Sequence, residues 1–136
     1  DRIDHLPPEK HASFYSRQRF TLNVTRDDMI AAGWSPSVRL FEAAACATPV
    51  ISDPWPGLDG LFPEDEAILI ARSRDDVLTA LCKPEKAACA IGQTARRIVA
   101  TSHTGAARAQ DLLRALSPGS GARTPRHEPF LEGSTQ

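Results

Sequence analysis

Polar side chains able to bind an anion and a sugar lie close together at the predicted start of one helix. They are Ser35, Ser37, Arg39 and Glu42. The free N–H groups and positive dipole of a helix N-terminus bind anions readily. A carboxylate about two turns along the helix is able to accept hydrogen bonds from a pair of sugar hydroxyls. The pattern favours a site for a phosphate group joined to a ribose.

A second interpretation of these residues stays open. Arg39 and Glu42 lie about one turn apart, so they share a helix face. Such a pair is also common on a crossover helix without a ligand, where the two charges pair with each other or remain in solvent. Residue types and spacing alone do not separate the two interpretations.

Helix and strand signals surround these side chains. Ser35 is a suitable N-cap, and Pro36 suits the first helical position, where its missing N–H costs no hydrogen bond. The Thr48–Pro49 step ends the helix, because the residue before a proline is disfavoured in helical conformation. Residues 49–52 then form a buried strand. The spacing predicts a buried helix face made of Val38, Phe41 and Ala45, flanked by Leu40 and Ala44.

An earlier strand supplies further candidates. Phe20–Val24 combines β-branched and aromatic residues in a short run, which is typical of a strand. Open α/β sheets bind their ligands beyond the carboxyl ends of their strands. Asn23, Thr25 and Arg26 lie at that end and are second-tier candidates for the site.

The segment from Arg39 to Asp53, RLFEAAACATPVISD, resembles the nucleotide-sugar-binding signature of glycosyltransferases with the GT-B fold. It is most similar to the group-1-like transferases related to the spore maturation protein CgeB. The resemblance extends over roughly residues 3–116, through Trp55–Leu58 and the last helices. It corresponds to the back part of the donor-binding domain in that family.

The resemblance implies roles for individual residues. Glu42 matches the glutamate that holds the ribose hydroxyls, and Ser35 and Ser37 match the helix start facing the diphosphate. Arg39, Asn23 and Arg26 complete the nucleotide-sugar-binding candidates. Two positions depart from the better-known pattern: Trp34 replaces an earlier glutamate that contacts the donor sugar, and Ala47 replaces a glycine.

The implied function is that of a donor-binding fragment of a glycosyltransferase. The complete enzyme moves a sugar from a nucleotide diphosphate sugar to an acceptor, and the fragment alone is expected to be inactive. No cofactor and no metal are expected. Trp34 favours an alternative, a non-catalytic nucleotide-binding module. A second alternative is a protein-interaction module. Nucleotide binding distinguishes this module from the donor-binding fragment and from the non-catalytic nucleotide-binding module.

Composition narrows the remaining functions. The net charge of −1 gives no electrostatic case for nucleic-acid binding, and no apolar run is long enough to span a membrane. The three cysteines lack metal-ligand spacing and are expected to be buried, reduced thiols in a cytoplasmic protein: Cys46, Cys82 and Cys89.

Strands alternating with helices predict a three-layer Rossmann-like α/β fold with a short, mostly parallel sheet. The strands near residues 22, 50 and 69 are expected to be neighbours in that order. One domain is expected over residues 1–116, followed by a disordered tail over residues 117–136. Phe20–Val24 is expected to have an exposed edge, which either the segment around Ile3 or a second chain covers. In the second case a homodimer forms through this edge.

Overall fold

The computed structural model describes residues 6–32 and 36–117. Contacts divide the chain into two compact units, with the boundary between residues 104 and 105. The second unit contains helix α7 (Gly105–Leu116). The first unit contains a 3-10 turn (Pro8–Lys10) and these helices: α1 (His11–Tyr15), α2 (Asp27–Ala32), α3 (Val38–Ala45), α4 (Leu58–Leu61), α5 (Arg74–Leu81) and α6 (Glu85–Ser102).

The described residues of the first unit form a sheet of three parallel strands in the order β1–β2–β3. Strand β1 is Thr21–Asn23, β2 is Val50–Ser52 and β3 is Leu69–Ile70. The register pairs Leu22 with Ile51, and Ile51 with Leu69. The predicted α/β class, strand order and parallel direction are confirmed, although each strand is shorter than the sequence indicated.

The sheet separates two apolar clusters. Val50 and Ile51 are adjacent in β2, so their side chains point to opposite faces of the sheet. Val50 joins a cluster built by α1, α3, α4 and part of α6, whereas Ile51 joins a smaller cluster with residues of α5 and α6. Helices therefore cover both faces, as the three-layer arrangement requires.

Helix α3 begins later than the sequence predicted. Its N-cap is Ser37, whose Oγ accepts a hydrogen bond from the Arg39 N–H at 3.3 Å, and its first residue is Val38. Pro36 as the first helical residue is therefore wrong. Ser37 has an extended backbone and a hydroxyl that satisfies a free N–H of the first turn, which makes it an effective cap. The predicted cap Ser35, and Trp34 beside it, lie outside the described residues.

The buried face of α3 also differs from the predicted one. Leu40, Ala43 and Ala44 are buried, whereas Val38 is 68% exposed and Ala45 is also exposed. Both sets have helical spacing. The observed face wins because it brings the bulky Leu40 and two small alanines against the sheet and α6, and leaves Arg39 and Glu42 off the core.

Helix α3 ends in a Schellman turn. Thr48 N–H donates to the Ala43 carbonyl and Ala47 N–H donates to the Ala44 carbonyl, both at 2.9 Å. The turn places Ala47 in the left-handed region with φ of 57°. A left-handed conformation disfavours residues that carry a Cβ, so glycine suits this position better than alanine.

Helix α6 contacts this turn through Gly92. A Cβ atom on Gly92 would overlap the Ala47 carbonyl oxygen and lie 2.8 Å from its carbonyl carbon. Both of these atoms belong to the backbone, so a side-chain rotation cannot relieve the overlap. The absence of a side chain at Gly92 therefore permits the close packing of α6 against this turn.

We predict that Gly92→Ala lowers the free energy of unfolding by about 2 kcal/mol, because α6 must move away from the α3 turn. Chemical denaturation of both proteins measures the difference. Gly105→Ala is the matched control, since among the described residues no atom lies within 4 Å of a Cβ built there. Equal stability of the Gly92→Ala and wild-type proteins would contradict the contact.

Candidate functional site

A cavity of about 560 Å³ lies beside the first turns of α3, between this helix, α1 and β1. We call it the α1–α3 cavity. It contains three of the side chains predicted to bind a nucleotide sugar, Ser37, Arg39 and Glu42, together with several aromatic and polar neighbours. Its full lining is Leu6, His11, Phe14, Tyr15, Gln18, Phe20, Thr21, Leu22, Ser37, Arg39 and Glu42.

Helix α1 is tied by hydrogen bonds to α3 and to the turn that ends α3. Near the C-terminal end of α1, Thr48 Oγ1 donates to the Tyr15 carbonyl at 2.7 Å, in a buried hydrogen bond. At the start of α1, His11 Nδ1 lies 3.0 Å from Glu42 Oε1. These hydrogen bonds hold the two helices at a set separation, which determines the width of the α1–α3 cavity.

The pairing of His11 with Glu42 places an imidazole against the principal ribose-binding candidate. The second ring nitrogen, Nε2, lies 3.0 Å from the Leu6 carbonyl oxygen. The hydrogen bond with Glu42, followed by that with Leu6, raises the pKa of His11 above its ordinary value of 6.5. The His11 and Glu42 side chains are 30% and 35% exposed, so a ligand entering the cavity is able to reach them.

Tyr15 and Arg39 complete the electrostatics of the cavity. Burial is the main reason why the pKa of Tyr15 is raised; the Glu42 carboxylate raises it further, and Arg39 opposes the change. The Tyr15 hydroxyl therefore remains protonated near neutral pH and is a neutral group beside the two charges. Arg39 is exposed at the cavity edge, where its guanidinium offers five N–H donors to an anion.

Asn23 and Arg26 do not line the α1–α3 cavity. Asn23 is 1% exposed, and its amide donates to Ser52 Oγ at 3.0 Å and to Thr25 Oγ1 at 3.3 Å. Thr25 in turn donates from its N–H and its hydroxyl to Asp53 Oδ1, at 3.0 and 2.9 Å. This polar network joins the carboxyl ends of β1 and β2. Arg26 follows β1 on the surface.

The structure thus brings Ser37, Arg39 and Glu42 together and leaves Asn23 and Arg26 at a separate position. Ser35 lies outside the described residues. Sequence reasoning missed His11 and Tyr15 as members of the cavity. Their partner Glu42 is remote along the chain, and neither helical nor strand spacing relates α1 to α3. A histidine beside an aromatic pair on a short helix was the only sequence signal.

Trp55 and the three cysteines do not line the α1–α3 cavity. Trp55 lies in the loop between β2 and α4, yet it is only 7% exposed and belongs to the larger apolar cluster, so its ring is used in core packing. All three cysteines have free thiols, but the expectation that they are buried is wrong. Cys46 is half-buried, and Cys82 is exposed at the end of α5. Cys89 is exposed because the buried face of α6 passes through Ala88, Ile91, Gly92 and Ala95.

The described residues contain neither a metal-binding cluster nor a membrane-spanning helix. Residues 6–32 and 36–117 contain no group of three His, Cys, Asp or Glu side chains placed to hold a metal ion. No helix in the same ranges combines the length and apolar character needed to cross a membrane.

Comparison with known proteins identifies the family. A family model described as glycosyl transferase-like matches residues 1–114, which include every described residue of the α1–α3 cavity. The chain belongs to this glycosyl transferase-like family. No curated protein and no solved structure matches it. Membership indicates sugar transfer as the class of chemistry and a nucleotide sugar as the donor.

Within this glycosyl transferase-like chain, we predict that Glu42→Gln lowers the pKa of His11, because the substitution removes the carboxylate that stabilises the imidazolium. Carbon-detected NMR titration of the His11 ring measures the change. Because the His11 pKa is higher in the folded than in the unfolded chain, protonated His11 stabilises the fold fully below pH 6.5, the ordinary histidine pKa. This stabilisation is lost as the pH rises through the raised His11 pKa of the folded chain.

Glu9→Gln is the matched control, because Glu9 acts on His11 only through its charge and with the smallest effect. It should shift the His11 titration less than Glu42→Gln does. If the His11 pKa were unchanged in Glu42→Gln, the hydrogen bond between the two side chains would be absent in solution.

Proposed function

We propose that the chain is the donor-binding part of a GT-B glycosyltransferase related to CgeB, and that its α1–α3 cavity binds the nucleotide of a nucleotide diphosphate sugar. The observation that supports this proposal is the meeting of Ser37, Arg39 and Glu42 at one cavity. Ser37 and Glu42, which the resemblance assigns to the diphosphate and the ribose, thus line the same cavity as Arg39, so all three are able to act on one ligand.

Glu42 is proposed to accept hydrogen bonds from the ribose hydroxyls. Its carboxylate has about four lone-pair sites, of which His11 uses one, so acceptor sites remain for a diol. At the start of α3, Ser37 Oγ already accepts from the Arg39 N–H, which leaves its hydroxyl proton free to donate to a phosphate oxygen. The Arg39 guanidinium adds charge-assisted hydrogen bonds to the same anion.

In transfer, these groups would act on the leaving nucleoside diphosphate. Negative charge grows on the diphosphate as its bond to the sugar breaks, and donors already aimed at it stabilise the transition state. In the resembled enzymes the acceptor site and the catalytic base belong to a separate N-terminal domain. We therefore expect these 136 residues to bind nucleotide without transferring sugar on their own.

A second candidate function rests on the edge of the sheet. Leu22 is 52% exposed and Val24 is 71% exposed, and no strand among the described residues pairs with the free side of β1. A second copy of the chain is able to add a strand there. Sedimentation at high protein concentration tests this homodimer, and a purely monomeric profile would argue against it.

The donor site is tested by calorimetry with UDP and GDP and with the 2′-deoxy form of each. We predict that Glu42→Gln weakens binding of the preferred nucleotide by about 10-fold or more, which corresponds to loss of a hydrogen bond to a charged group. Removal of the 2′-hydroxyl should weaken wild-type binding similarly. Glu42→Gln combined with the 2′-deoxy nucleotide should weaken binding little more than either change does alone, because both remove the same contact between Glu42 and the ribose.

Glu9→Gln is the control, since it removes a nearby carboxylate that does not line the cavity. It should bind nucleotide as the wild-type chain does. Fully additive effects of Glu42→Gln and 2′-deoxy substitution would show that Glu42 does not contact the ribose. Absence of binding at millimolar UDP and GDP would contradict the nucleotide site itself.

A further inference from the structure

The two neighbours of the His11 ring are both hydrogen-bond acceptors. Nδ1 faces a carboxylate oxygen of Glu42 and Nε2 faces the Leu6 carbonyl oxygen, each at 3.0 Å. A neutral imidazole carries one N–H and is able to satisfy only one of these oxygens, whereas an imidazolium donates to both. The contacts therefore require a proton on the His11–Glu42 pair. An ordinary imidazole is more basic than an ordinary glutamate by about 2 pKa units, so the proton belongs on His11.

The charges around His11 favour the same state. Glu42 on α3 and Glu9 on the 3-10 turn are the anionic groups that act on it. Lys10 is its exposed neighbour along the chain, and Arg39 lines the same cavity. Tyr15, about one turn further along α1, presents its ring edge-on at 6.3 Å between centroids. The hydrogen bond with the Glu42 carboxylate, at 3.0 Å, has the largest effect on the His11 pKa.

We propose that the His11 imidazolium is a positioning residue that holds the Glu42 carboxylate ready for the ribose diol, so that recognition of the ribose requires a proton on His11. The proposal rests on the proposed nucleotide site and adds the residue that orients its ribose contact. His11 does not touch the ligand in this role. Its orientation is fixed by the Leu6 carbonyl, and it fixes one oxygen of Glu42 in turn.

The hydrogen bond at Oε1 decides how the carboxylate is presented. A glutamate on a half-exposed helix face samples several rotamers, and a ligand that needs one of them must select it. The bond from His11 selects the rotamer before the nucleotide arrives, in the way that outer partners orient the ligands of a metal. When His11 loses its proton, one of its two hydrogen bonds must break, and the carboxylate is released whenever the remaining N–H turns to Leu6.

Proton binding at His11 and ribose binding at Glu42 are thermodynamically linked in this proposal, which makes the role of His11 measurable. If the ribose binds the protonated form better, a pH increase through the His11 pKa weakens ribose recognition, and a bound ribonucleotide raises that pKa by the same coupling. The diphosphate also titrates and would change affinity by itself. A 2′-deoxynucleotide carries the same base and diphosphate, so the affinity ratio of the ribonucleotide to its 2′-deoxy form isolates the ribose.

The experiment measures this ratio by calorimetry with UDP and 2′-deoxy-UDP, and with GDP and 2′-deoxy-GDP, at pH 6 and pH 8.5. At pH 6 the wild-type chain should bind the better ribonucleotide about 10-fold more tightly than its 2′-deoxy form. At pH 8.5 this preference should fall below about 3-fold, because the Glu42 carboxylate is no longer held in position for the ribose. His11→Gln should show the low preference at both pH values. Glu9→Gln should behave as the wild-type chain does.

The outcomes separate this proposal from the proposed function. A ribonucleotide preference that is the same at both pH values and in His11→Gln would overturn the role of His11 and leave the nucleotide site standing. Absence of binding by all four nucleotides would overturn both. Circular dichroism of His11→Gln establishes that the variant is folded. NMR titration of the His11 ring in the wild-type chain should also show a pKa increase with UDP or GDP that exceeds the increase with the 2′-deoxy form.

Discussion

The contact between Gly92 and the Schellman turn at Ala47 fixes helix α3, and the candidate site depends on α3. Two backbones meet there without a side chain between them, so α6 packs directly against the turn that ends α3. The same turn directs the chain through Pro49 into β2. Ser37, Arg39 and Glu42 all lie at or in α3, so a shift of this helix would move every candidate ligand contact together.

The turn also carries a local cost. Ala47 adopts a left-handed conformation that glycine adopts freely, and it is the position at which the sequence resemblance implies a glycine. Alanine there costs about 1 kcal/mol relative to glycine, a small amount beside the packing that the turn permits. Thr48, next in the chain, then binds the end of α1, so one turn organises both walls of the α1–α3 cavity.

The sequence was most informative where local chemistry decides the structure. The sequence indicated the positions of all three strands, and the Thr48–Pro49 step indicated the end of α3. The face of α3 could not be read correctly, because a helix rich in alanine offers two apolar stripes of equal spacing. Only the tertiary fit of Leu40 against the sheet and α6 selects one of them.

The residues of the candidate site also differ in whether local sequence was enough to predict them. Ser37, Arg39 and Glu42 lie on one helix, so spacing and resemblance were enough to group them. His11 joins them through a fold-level approach of α1 to α3 that no local pattern records. Asn23 was a candidate because it ends a strand, yet its amide is used in the buried network with Ser52 and Thr25. End-of-strand position alone does not distinguish a ligand contact from a structural hydrogen bond.

The most direct measurement is backbone and histidine-ring NMR of the labelled chain during titration with UDP and GDP. The nucleotide site predicts shifts confined to Ser37–Glu42, the His11 ring and the facing residues of β1. Shifts centred instead on Asn23, Thr25 and Asp53 would place the ligand at the carboxyl ends of the strands, where open α/β sheets bind their ligands, and would contradict the α1–α3 cavity as the nucleotide site.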